Sequence, residues 1–238
     1  MLLSIIRQNQ KLAAKRNPAF DRNRFAKFLI YFMVAFWAAY LIFIGVMLSF
    51  AFEDIFPSME PYHIMNQGLI YLLILDFLLR FMLQPAMSQE IKPYLLMPVK
   101  KNKLVDTLLL QSGISSYNFF WFFLIIPFAL LTIIRFYGLT GILCYLCGIW
   151  LLMVMNSYWY LICKTLLNEK LLYILLPIGV YGLLAGTEFI PEGNPVSTFM
   201  MNLGEGFIEG NILAFLGVIA AILLLLLVNR KLQLHFIL

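Results

Sequence analysis

The chain has 238 residues, of which 63% are hydrophobic and 12% charged, with a mean hydropathy of +0.89 and a formal net charge of +5. A soluble domain carries about 45–50% apolar and about 25% charged residues, so a soluble globular fold is excluded and an integral membrane protein is expected. No long polar stretch remains for a separate soluble domain, and the basic excess has to be read from where the charges fall, not as a signal for nucleic acid.

In chain order, residues 1–27 come first and read as an amphipathic segment. Leu2, Ile5, Ile6, Leu12 and Ala13 fall near one helical face, and Arg7, Lys11 and Lys15 recur at i, i+4, i+8. That is the pattern of an interfacial helix lying on an anionic leaflet. The opening MLLSII is too short for the apolar core of a cleaved signal peptide. Six apolar stretches follow, at about 28–52, 64–87, 113–134, 141–163, 171–189 and 212–228, each near the 20 or so residues that cross a bilayer. They are continuous runs without two-residue alternation, so helices and not barrel strands are expected.

The charges then set the orientation. Of the 17 lysines and arginines, all but Arg80 and Arg135 lie before the first span, between the second and third, between the fourth and fifth, or after the sixth. The opposite connections carry Glu53, Asp54, Glu60, Glu188, Glu192, Glu205 and Glu209. By the positive-inside rule both termini are cytoplasmic. The expected fold is therefore an all-α integral membrane protein: a single six-helix transmembrane domain over residues 1–238, multi-pass in the cell (cytoplasmic or inner) membrane. Residues 88–106 form a cytoplasmic loop and residues 190–211 an extracytoplasmic one. In the latter, VSTFMMNL reads as a short helix dipping into the outer leaflet, capped by Ser197 or Thr198.

Few residues within the spans carry chemistry. Asp76 and Arg80 stand at i, i+4 in LILDFLLRFML and so share a helical face as an ion pair. The pair reads either as a coupling or path element, or as a structural pair with Arg80 reaching toward the cytoplasmic surface. Gln111, Ser115 and Asn118, at i, i+4, i+7, form a polar stripe that lines a path or joins helices. Gly179, Gly182 and Gly186 allow close helix contact, and Pro177 kinks that span. Cys144 and Cys147 make a C-x-x-C inside an apolar run, without the further ligands a zinc site needs, and read as packing residues. His63 and His235 fall on opposite sides of the membrane, so no metal site is expected. The chain has no phosphate-binding G-x-x-x-x-G-K-[ST], no H-E-x-x-H and no G-x-S-x-G. An enzyme is not expected.

One loop stands out. It reads SQEIKPYLLMPVKKNKLVD, with Pro93 and Pro98 bracketing an apolar patch and Lys100, Lys101 and Lys103 leading into the third span. An apolar patch flanked by lysines suits lipid headgroups or a docking protein. Here the chain resembles the permease subunits of ABC-2-type transporters, which carry a Leu-x-x-Pro-apolar-basic-basic stretch in the first cytoplasmic loop. The matching residues are Leu95, Leu96, Pro98, Val99, Lys100, Lys101, Lys103 and Leu104. The amphipathic start, six spans, cytoplasmic termini and external short helix agree, and an uncharacterised permease-like family is expected.

The resemblance implies that residues 92–105 form a coupling helix, with Tyr94, Leu95, Leu96, Pro98, Lys100, Lys101 and Lys103 docking on a separate ATPase subunit. It implies that ATP is bound by that partner, that this chain holds no cofactor, and that a second permease half completes the exporter, as a homodimer or a paired half. Asp76, Arg80, Gln111, Ser115 and Asn118 would line the path or couple to it. The apolar end LQLHFIL departs from the family pattern and marks either a fragment edge or half of a longer permease. The competing readings are a membrane assembly or anchoring protein and a secondary transporter using Asp76. Membrane lipid is a partner in every reading, and nucleic acid in none.

Overall fold

The structure is a computed structural model that describes residues 24–84, 100–187 and 194–237, together with Ile6, Gln8, Asn9, Leu12 and Tyr94. Among the described residues it is all helix and turn, without a strand. The helices are α1 (Arg24–Ile55), α2 (Pro61–Gln67), α3 (Leu69–Leu83), α4 (Lys101–Gly113), α5 (Phe122–Thr132), α6 (Ile134–Glu169), α7 (Leu175–Gly186), α8 (Pro195–Ile208) and α9 (Ile212–Ile237). Short 3-10 turns at Ser116–Phe119 and Leu171–Ile174 precede α5 and α7.

Among the described residues, three helices are long and apolar enough to cross a membrane: α1, α6 and α9. Two bent pairs each make one further crossing if taken as a unit. They are α2 with α3, bent by 49°, and α4 plus its 3-10 turn with α5, bent by 56°. α7 with the turn before it is apolar but shorter. Among the described residues there are thus three to five candidate spans, and the second and third spans are broken where unbroken helices were expected.

The breaks have local causes. Gly68 takes φ −77°, ψ −3°, and its N–H closes on Ile64 O at 3.0 Å, ending α2 and restarting the chain as α3. α4 starts at Lys101, well before the expected start of the third span near residue 113, and stops at Gly113. There the chain turns, and the Ser115 side chain accepts from Tyr117 N to start the 3-10 turn. Gly138, at φ 63° and ψ −162°, kinks the start of α6 in a backbone region that side chains other than hydrogen rarely allow.

α9 continues well past residue 228, where polarity alone sets the expected end. Three of its polar residues have partners across the bundle: Asn229 Nδ2 donates to Tyr158 O at 2.8 Å, Gln233 Nε2 to Thr165 Oγ1 at 2.6 Å, and Arg230 Nε to Asp106 at 2.7 Å. α8 is longer than the expected short helix, and its cap is Asn194, not Ser197 or Thr198. The Asn194 side chain accepts from Val196 N and Ser197 N at 3.0 and 3.1 Å.

The helix ends gather in two sets. At one end Lys164 Nζ donates to Phe81 O at 2.9 Å and Tyr160 OH to Gln84 O at 2.6 Å, so α6 satisfies carbonyls that the end of α3 leaves open. The α4–α9 ion pair Asp106–Arg230 lies at the same end. At the other end His63 pairs with Glu205, and Arg135 with Glu53 at 3.3 Å. α8 lies against α2, α3, α6 and α9. A Cβ on Gly204 would stand 2.3 Å from the Asn66 side chain, so only glycine lets α8 approach α2 this closely.

The core divides in two. One apolar cluster, with Leu69, Phe128, Tyr145, Ile149 and Phe207, serves the Glu-rich end. The other, with Phe77, Val105, Leu109, Tyr158 and Tyr160, serves the lysine-bearing end, and Ile6 and Tyr94 pack into it. α1 touches mainly α5, and its stacked Phe28, Phe32, Phe36 and Tyr40 face outward. The rest of the expected amphipathic segment, apart from Ile6, Gln8, Asn9, Leu12 and the start of α1, lies outside the described residues.

Candidate functional site

Between the two apolar clusters sits a buried polar network centred on Asp76 and Arg80 of α3, which are 3% and 1% exposed. The i, i+4 pair forms as its spacing predicts, with Arg80 Nε donating to Asp76 Oδ2 at 2.7 Å. Arg80 does not reach toward the surface; it stays within the bundle. Asp76 Oδ2 also accepts from Asn156 Nδ2 of α6 at 2.8 Å, and Asp76 Oδ1 from Trp121 Nε1, at the start of α5, at 3.0 Å. Three donors on one carboxylate offset much of what removing it from water costs.

The network then spreads outward along two arms. Asn156 Nδ2 is shared with Leu73 O at 2.9 Å, and Asn156 Oδ1 accepts from Tyr181 OH of α7 at 2.9 Å. On the other side Arg80 Nη2 donates to Asn118 Oδ1 at 2.8 Å. Asn118 Nδ2 in turn donates to Gly113 O, at the end of α4, at 2.7 Å. Arg80 Nη1 is buried and has no partner among the described residues. One carboxylate thus ties together α3, α4, α5, α6 and α7. In lipid, helices gain little from the hydrophobic effect on associating, so such bonds carry much of the specificity of packing, at roughly 0.6 kcal/mol each on average.

Of the expected polar stripe, only Asn118 joins this site. The helix ends at Gly113, so Gln111 and Ser115 do not share a face with it; both are half-buried, and Ser115 starts the 3-10 turn. Trp121, Asn156 and Tyr181 are the residues that sequence reasoning missed. Asn156 carries a signal of its own, as an amide alone in the apolar run LLMVMNSYWY.

The second feature is the start of α4. Lys100, Lys101 and Lys103 are exposed, while Leu104, Val105, Leu108 and Leu109 are buried against α6 and α9. No acid lies in that first turn. Cations are disfavoured at a helix N-terminus, by about 0.3–1 kcal/mol each at a surface, so the lysines do not serve the helix itself. Leu95, Leu96 and Pro98 lie outside the described residues, and Tyr94 is half-buried. Gly179, Gly182 and Gly186 face open space, not a neighbouring helix. Cys144, Cys147 and Cys163 are free thiols.

A bundle of apolar helices of membrane-crossing length, with its few charges paired inside, defines a multi-pass α-helical membrane protein. Within that class the chain belongs to a family of unknown function, DUF5687, which matches over residues 10–238. No curated protein and no solved structure matches the chain.

Proposed function

We propose that the protein is the transmembrane permease subunit of an ATP-driven exporter of the ABC-2 type, energised by a separate ATPase subunit and completed by a second permease half. On this reading the chain crosses the cell membrane six times, with the bent pairs and α7 each counted as a span. Both termini and the lysine-bearing end face the cytoplasm, as the charge asymmetry favours. The enzyme is the partner; this chain binds no nucleotide.

The observation that carries the reading is that α4 joins both features. It begins with three exposed lysines that its own dipole disfavours, and it ends on the Gly113 carbonyl held by Asn118 and, through it, by Arg80. A partner that shifts the start of α4 would pull on Asn118, then on the Asp76–Arg80 pair, then on α7 through Asn156 and Tyr181. Packed helices of this kind move between discrete arrangements, which suits alternating access. A proton-driven transporter using Asp76 fits less well, because that carboxylate is 3% exposed and held by three donors.

The test is co-purification of the tagged, detergent-solubilised chain, wild type beside Lys100→Glu/Lys101→Glu/Lys103→Glu. The reading expects an ATPase subunit with the wild type and its loss from the variant. Absence of any ATPase under conditions that preserve complexes would favour an anchoring or assembly protein instead.

A further inference from the structure

We infer that the groove between α3 and α7 is a binding slot for one acyl chain of an anionic phospholipid, whose headgroup is held at Lys164. The groove has a volume of about 310 Å³ and is walled by Phe77, Leu78 and Phe81 of α3 and by Pro177, Ile178 and Tyr181 of α7. That places it at the small end of the range for ligand sites, about 300–1,000 Å³. The only side-chain polar atom in those walls is the Tyr181 hydroxyl, and it is committed to Asn156. The lumen therefore has nothing for a polar ligand to bond and fits hydrocarbon. Only Pro177 of α7 is buried, so the groove opens sideways toward the bilayer interior.

Charge selects which lipid. Lys164 Nζ lies 4.1 Å from the centroid of the groove-wall ring Phe81 and donates to Phe81 O. A lysine ammonium has three donors, so two remain for a further acceptor. Lys164 is half-buried and has no carboxylate partner among the described residues, so an anion there would meet a cation that is partly desolvated and that none of those residues neutralises. Lys170 is exposed at the turn leading into α7, with Glu169 exposed beside it. The C-terminal end of α3 and the N-terminal end of α7 flank the slot, so it lies in the leaflet on the lysine-bearing side, where anionic lipids attract basic residues.

The slot also reaches the buried network. Tyr181 forms its inner wall, 5.0 Å from the Phe77 ring, and its hydroxyl is bonded to Asn156 beside Asp76. A chain entering the slot presses on that ring. As a binding site the slot stands apart from the transport reading. As an entry path for an exported amphiphile it rests on it.

The test uses the full chain in lipid nanodiscs doped with phosphatidylglycerol carrying a diazirine in one acyl chain, or with phosphatidylcholine carrying the same chain. After photolysis, labelled positions are mapped by peptide mass spectrometry. The slot predicts labelling concentrated on residues 74–81 and 174–181, with phosphatidylglycerol ahead by about fivefold, a preference worth roughly 1 kcal/mol. Ile178→Trp, at a groove-wall position 59% exposed, fills the slot and removes that labelling for both probes. Lys164→Gln keeps the labelling and abolishes the preference. If that variant fails to fold, the wild-type preference and Ile178→Trp still decide. Equal labelling by both lipids, labelling spread evenly over α1 and α9, or no effect of Ile178→Trp would overturn the inference. The assay needs neither ATP nor an ATPase, so its failure leaves the permease reading to its own test.

Discussion

The Asp76–Arg80 pair makes a quantitative prediction about what holds the bundle together. Replacing Arg80 with leucine strands a carboxylate that is 3% exposed, and replacing Asp76 with leucine strands a guanidinium that is 1% exposed. Breaking a buried pair in this way costs about 3–5 kcal/mol. Asp76→Leu/Arg80→Leu removes both charges and leaves neutral groups behind. Trp121 Nε1 then loses its acceptor, and Asn118 Oδ1 loses its donor while Asn118 keeps Gly113 O. Asn156 keeps Leu73 O and Tyr181. Each orphaned neutral group costs about 1–3 kcal/mol, so the double variant costs roughly 2–6 kcal/mol. The two single variants together cost roughly 6–10 kcal/mol.

Thermal melts of the detergent-solubilised chain measure this. Each single variant should lower Tm by roughly 6–20 °C, taking about 2–4 °C per kcal/mol for a chain of this size. The double should lie short of their summed effect, by about 4 kcal/mol between the midpoints of the two ranges, outside the roughly 0.5 kcal/mol within which independent sites add. Strict additivity would refute the claim that these residues act as one buried pair.

Other predictions follow from single contacts. Gly204→Ala puts a methyl against Asn66, displaces it from its 2.9 Å bond with Tyr145 and should cost about 1–3 kcal/mol, with Asn66→Ala giving partial rescue in the same melts. Asp106→Asn, by contrast, breaks a pair whose side chains are 42% and 45% exposed, and should cost no more than about 1 kcal/mol. In a chain with Cys144, Cys147 and Cys163 replaced by alanine, Ser58→Cys and Lys170→Cys should react with a membrane-impermeant thiol reagent from opposite sides. Labelling of both from one side would contradict the span count.

The positions of the apolar helices were legible in the sequence because lipid demands long continuous runs, and 28–52 and 141–163 fall inside α1 and α6. The breaks at Gly68 and Gly113 were not, since hydropathy averages across them. The end of α9 was misplaced for a related reason. Asn229, Arg230 and Gln233 look like the edge of a span until Tyr158, Asp106 and Thr165 appear across from them.

Asp76 and Arg80 were legible as a pair because the i, i+4 relation is local. The rest of the network was not, because Trp121, Asn156 and Tyr181 lie on three different elements and only packing brings them within 3.0 Å of the atoms they bond. The stripe at 111, 115 and 118 failed because it assumed a continuous helix through a turn.

In the proposed function α4 carries force from the lysines to the buried pair, and the most direct test separates docking from transmission. Complexes co-purified with wild type, Asn118→Leu and the triple lysine variant would be compared for retained ATPase subunit and for ATP hydrolysis per retained subunit. The account predicts that Asn118→Leu keeps the subunit but changes its hydrolysis, because the link from Gly113 to Arg80 is cut, whereas the lysine variant loses the subunit. Asn118→Leu behaving as wild type in both respects would contradict it.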